Sequence, residues 1–293
     1  IDAENTSWIA TEQGIFLMKK DEKGQNITSE FVINDELSEK AFISIYEDEK
    51  GYIWLGTYGY GVFCIHPDRK TVENFSTNDG LANNNVISIT GKNNIIVFST
   101  LGGGISIFDY NSSENFISKN IQSGLPSNYV YSSFIDSQNR IWMAMDGGLA
   151  YLENDKIISI DKLNDLNITK FYGITEDNHH NIWISTASQG IIRYFNDSLS
   201  FLNTENGLHS NAYSSIMYDG KDKIILVSES GIDLLNVNDY SVSYYGEEFG
   251  FIEFEPSLNA IFQDNMENIW ITGKNAILKY NTEKSYTEKT EPI

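Results

Sequence analysis

Few residues of this 293-residue chain are of types that carry out chemistry, and their spacing argues against most reactions. His179 and His180 are adjacent in the turn-like run "EDNHHNIW". A metal site needs ligands converging from several elements, whereas neighbours on a tight turn diverge. They read as exposed turn residues. Glu253 and Glu255 in "EFEP" would share one side of an extended stretch, as a carboxylate pair for acid/base work or calcium would. Set in "FGFIEFEP", they read instead as part of a strand lead-in with a structural or interface role. The runs "TLGGG" and "TYGYG" precede strand-like segments, so they lack the helix that a phosphate cradle requires.

The arginines number three: Arg69, Arg140 and Arg193. A sialidase-like site needs such residues clustered, but two fall in loops of one side of the repeat and Arg193 falls in a strand. No facing carboxylate pair suits a glycosidase, and no Ser/His/Asp arrangement recurs. The lone Cys64 excludes an internal disulfide and a cysteine-based zinc site. It lies in an apolar alternation and reads as a small buried hydrophobe. No catalytic residue, metal ligand or cofactor is expected.

The elements that would position any site come from a repeat. Seven copies of one pattern run through the chain, anchored at Trp8, Trp54, Val97, Trp142, Trp183, Leu226 and Trp270. The anchors are 46, 43, 45, 41, 43 and 44 residues apart, and all five tryptophans occupy this one position. A period of this size marks propellers or solenoids. Each copy begins with an apolar, aromatic-rich run such as "AFISIYED", which suits a strand buried on both faces. A polar tetrad then suits a tight turn. The Trp strand follows, then a glycine bend, a third strand such as "GVFCI", and a more polar fourth such as "TVENFST". Four antiparallel strands per unit make one propeller blade. We therefore expect an all-β, seven-bladed β-propeller spanning 1–293, its tryptophans wedged between blades. Only six first strands are legible, so the first blade should lack its innermost strand in this segment.

Composition agrees. Apolar residues at 41% and aromatics at 13% are enough for a large core, and no apolar run is long enough to cross a bilayer as a helix. The net charge of −21 opposes a phosphate backbone and an anionic membrane face, so neither nucleic acid nor membrane is expected as a partner.

The units "NDGLANNNVISIT", "QSGLPSNYVYSSFID" and "GYIWLGTYGYGV" resemble the two-component regulator propeller repeat. Units three and six depart from it, with Val97 and Leu226 for Trp, and unit seven lacks the glycine pair. The resemblance implies a periplasmic sensor region of a hybrid histidine kinase, non-catalytic, responding to a glycan or oligosaccharide. It also implies a homodimer, an adjoining propeller, and an immunoglobulin-like domain of the same chain after a tail at 282–293. A dimerisation scaffold, or a propeller lyase or glycosidase, are the alternatives.

Because strands alternate in direction, loops after second and fourth strands share a face. Candidate ligand-binding residues there are Tyr58, Tyr60, Asn84, Asn128, Tyr129, Asp146, Gln189, His209 and Asn211. Aromatics stack on sugar rings, and amides and carboxylates bond hydroxyls. Asn in such loops also caps turns.

Overall fold

In a computed structural model of the chain, the described residues are 6–21, 26–32, 37, 40–114, 116–166, 168–246, 254–264, 266–274 and 276–281. The tail at 282–293 and Glu253 lie outside them. The strands form seven antiparallel sheets, each made of strands consecutive in the chain. This is the expected seven-bladed propeller. Blades two to six have four strands each, beginning at Phe42–Glu47, Val86–Lys92, Val130–Ile135, Phe171–Glu176 and Ser215–Tyr218. Blade one has three, Ser7–Thr11, Gly14–Lys20 and Asn26–Glu30. Its Trp8 lies in the first of these, where the other blades carry their anchor in the second strand, so among the described residues no strand fills the innermost place. In blade seven the described strands are Pro256–Gln263, Asn268–Gly273 and Ile277–Asn281.

The core lies between blades, because neither face of a single sheet can be left in water. Trp54 is 2% exposed and packs on Phe98 and Phe108 of blade three at ring distances of 5.4 and 5.3 Å. Trp142 reaches Tyr194 of blade five at 5.2 Å, and Trp183 joins Tyr213, Ile216 and Leu226 of blade six. Burying one such indole contributes about 2–3 kcal/mol. Cys64 is buried in the same layer as Trp54, and burial pushes its thiol far above the ordinary range.

A second device holds each indole. In four blades an Asp six residues before the Trp accepts its Nε1–H. The pairs are Asp48–Trp54 at 2.9 Å, Asp136–Trp142 at 2.8 Å, Asp177–Trp183 at 2.7 Å and Asp264–Trp270 at 2.8 Å. The other carboxylate oxygen accepts two backbone N–H groups of the turn, Lys50 and Tyr52 in the case of Asp48. One side chain thus fixes the turn and satisfies a buried donor. At Asp264, burial works against ionisation. Hydrogen bonds from Trp270 and Asn268 outweigh it and hold the carboxyl below its ordinary value.

The glycine that opens the third strand has a steric cause. At Gly61, with φ of 79°, a Cβ would lie 2.1 Å from the Phe75 carbonyl oxygen of the outer strand. Only glycine lets the two strands start side by side there.

Blade seven also reaches across the ring. Its first strand is irregular between Pro256 and Ile261. Within that stretch, Asn259 donates its backbone N–H to Ser214 O of blade six and its Nδ2 to Tyr131 O of blade four, both at 3.0 Å. In a ring of seven, blades four and seven are three apart, so this contact passes through the central channel.

Candidate functional site

Loops after second strands meet loops after fourth strands on one face, here called the upper face. Backbone bridges join Tyr58 to Asn85, Leu101 to Tyr129 and Asp146 to Lys170, each pairing one blade's bend with the entry loop of the next. All nine candidate residues lie in these loops.

The three asparagines are built into the scaffold. Asn84, Asn128 and Asn211 accept through Oδ1 from the backbone N–H of Thr77, Ile121 and Thr204, at 2.9 to 3.0 Å. The Asn84 main-chain oxygen accepts from Gly59 and Gly61, that of Asn128 from Gly102 and Gly104, and that of Asn211 from Gly190. The preceding leucines, Leu81, Leu125 and Leu208, are buried. The "GLxxN" segment is thus a plug and a clasp. Asn128→Ala should destabilise by about 1 kcal/mol as the loss of a cap, which a lowered midpoint in thermal unfolding would register.

The tyrosines are different. Tyr58, Tyr60 and Tyr129 are 61%, 55% and 52% exposed. Lys40 Nζ lies 4.6 Å from the Tyr60 ring centroid. Asp146 donates its N–H to Tyr129 O at 3.0 Å. Gln189 is exposed, its backbone N–H donated to Thr186 Oγ1. His209 stands apart with Asp233, which the sequence did not single out. Its Nδ1 lies 2.8 Å from Asp233 Oδ1, its N–H donates to Oδ2, and its ring stacks on Tyr244 at 4.1 Å. Asp233 is 1% exposed and also accepts from the Tyr213 hydroxyl. The imidazole is therefore held in one orientation by a buried carboxylate.

Three further residues join the upper face. Tyr131 and Tyr172 meet edge to face at 5.2 Å, and Lys170 Nζ lies 6.0 Å from the Tyr131 ring. Tyr131 falls where the first strand's register shifts between Val130 and Ser132, and Tyr172 falls in the equivalent shift between Phe171 and Ile174. A bulge of this kind re-aims a side chain and leaves no mark in the residue pattern. The arrangement offers ring faces beside an amine and a carboxylate. Nothing in it pairs a nucleophile with a base.

The two histidines of the lower-face turn separate as expected of turn neighbours. His179 Nε2 meets Asn238 and His180 Nδ1 meets Glu176. Among the described residues, no group of three or more His, Cys, Asp or Glu side chains is placed to hold a metal. Glu255 pairs with Lys274 Nζ at 2.6 Å.

Residues 36–59 and 124–147 match the family model described as two component regulator propeller. These two segments are similar to that propeller repeat. Both matches run from an entry loop through the Trp strand, the portion that carries the Asp–Trp bond. Histidine kinase P4 of Formosa agariphila is 27% identical over 300 residues, covering 94% of this chain and 20% of that protein. The extracellular domain of BT4673 from B. thetaiotaomicron, named as a hybrid two component system, superposes with a TM-score of 0.76 at 18% identity, over 96% of this chain and 37% of that one. Virginiamycin B lyase from Staphylococcus aureus shares the fold at a TM-score of 0.67 and 14% identity, over 95% of this chain and 96% of the lyase. The chain spans about a fifth of the curated relative's length. Among the described residues, no helix is long and apolar enough to cross a membrane.

Proposed function

We infer that this propeller is a ligand-sensing module of an extracytoplasmic region in a hybrid two-component system, and that its ligand is an oligosaccharide bound on the upper face without turnover. The observation that carries the reading is the group of solvent-facing aromatics Tyr58, Tyr60 and Tyr129. Three rings more than half exposed, on loops whose asparagines and glycines are locked, have no packing role to explain them. Sugar rings stack on such platforms, and Asp146 and Lys170 stand ready for hydroxyls. The two family-model matches and the likeness in fold to extracellular domains of two-component systems support the setting. Coupling to a kinase would require the ligand to bind one arrangement of the protein better than another.

Calorimetric titration with a panel of plant and host oligosaccharides tests this. At least one should bind saturably and be recovered intact. Tyr58→Ala and Tyr129→Ala should each weaken it about tenfold, the equivalent of roughly 1.4 kcal/mol of lost stacking, with unchanged thermal unfolding. Cleaved product would replace the sensor with an enzyme. A panel that gives no heat, with a mass that rises with concentration in ultracentrifugation, would replace it with a dimerisation scaffold.

A further inference from the structure

The gap between blades five and six differs from the three that precede it, between blades two and five. Between blades two and three, Phe75, Phe108 and Phe116 fill the space beside Trp54. The residue opposite the anchor in the third strand is Cys64, Ile107 and Tyr151 in blades two, three and four, all buried. In blade five that residue is Arg193, paired across the ladder with Trp183. Its partner in the outer strand is Ser200, where blades three and four carry Ile117 and Ile158. A charge and a small hydroxyl thus replace two apolar side chains. Beside them lies a shallow, open groove of about 410 Å³ on the flank of the ring, lined by Arg193, Ser200, Leu202, Asn206 and Tyr240.

Arg193 is also electrostatically alone. Arg69 pairs with Glu47 at 3.0 Å and Arg140 with Asp136 at 2.6 Å. Among the described residues no carboxylate pairs with Arg193, in a chain with 41 acids and a net charge of −21. The acids near it in sequence or across the gap are engaged elsewhere: Asp197 accepts from Tyr194, and Asp239 from Ser241. The guanidinium donates Nη1 to the Tyr240 hydroxyl and lies over that ring, with 5.5 Å to its centroid. Nη2 reaches Ser200 Oγ only at 3.4 Å, and Nε has no acceptor although it is buried. Neither amino group of the guanidinium meets a charged acceptor and Nε meets none, although the fork matches the two oxygens of a carboxylate. A buried donor without an acceptor is costly, and a ligand oxygen would satisfy it after a small rotation of the guanidinium.

We propose that the groove between blades five and six binds a small carboxylate-bearing ligand, of the size of one or two sugar rings, through Arg193. Ser200 and Asn206 supply hydrogen-bonding groups beside the carboxylate, and Leu202 and Tyr240 supply the apolar walls. This site is separate from the upper-face tyrosines, and neither reading depends on the other.

Titration with glucuronate and galacturonate, with glucose as the uncharged control, decides it. At least one uronate should bind saturably, and glucose at least tenfold more weakly. Arg193→Gln should weaken the uronate at least tenfold, while Tyr58→Ala should leave it unchanged. Ser200→Asp supplies an internal carboxylate to the fork, so it should raise the unfolding temperature and abolish uronate binding. Failure of both uronates to bind at millimolar concentration would overturn the proposal, as would full binding by Arg193→Gln or by Ser200→Asp. Binding of an acidic peptide in place of either uronate would likewise overturn it.

Discussion

Trp54→Ala is expected to destabilise the propeller by about 3–5 kcal/mol, among the largest effects of any single truncation in the core. The indole is nearly fully buried and contacts aromatic rings of both its own blade and the next. Removing it opens a void that two sheets must both collapse into, and neither can move without disturbing a further blade. It also strands the Asp48 carboxylate, which keeps its turn bonds and the Tyr110 hydroxyl but loses its buried partner. Thermal unfolding should shift down by roughly 5–10 °C for a chain of this size. An unchanged midpoint would show that the blades do not depend on this wedge.

The second large effect belongs to Asp136, which is 0% exposed. Its Oδ1 accepts from the backbone of Gln138 and Arg140, and its Oδ2 from Arg140 Nε and Trp142 Nε1. Asp136→Ala removes both acceptor oxygens and their four hydrogen bonds at once, and leaves a largely buried guanidinium unpaired. Breaking a buried charge pair from one side costs about 3–5 kcal/mol. A double-mutant cycle with Trp142→Phe isolates the indole bond. In the Phe background no orphaned indole donor remains, so the Asp136→Ala cost should fall by about 1–3 kcal/mol. Equal costs in both backgrounds would show that the carboxylate serves the turn and Arg140 alone.

The repeat itself was legible because each blade must solve the same packing problem, and so it reuses the same indole, turn and glycine. The seven anchors from Trp8 to Trp270 recur once per blade in the sequence and in the fold alike. The Asp–Trp bond had a signal in the constant six-residue spacing of Asp48, Asp136, Asp177 and Asp264 from their tryptophans. That spacing carries the hydrogen bond only because a tight turn folds one strand onto the next, so it is invisible until the register is known. The upper-face loops were placed by strand alternation alone. The roles within them were not, since whether Asn128 caps a turn or faces a ligand depends on which backbone N–H its oxygen meets. Tyr131, Tyr172 and the carboxylate behind His209 were hidden for the same reason. Bulges and contacts between blades are set by tertiary geometry, which leaves no period to read. The isolation of Arg193 is a property of its surroundings, not of its neighbours in the chain.

The reach of Asn259 to Ser214 and Tyr131 changes what the hub of the wheel can be. With Asn259 bonded across it, the bore is narrowed at that level. Because Asn259 is bonded both to the adjoining sixth spoke and to the fourth, a shift of the last spoke is felt directly by both. Part of a push on that spoke then reaches the fourth without passing through the fifth.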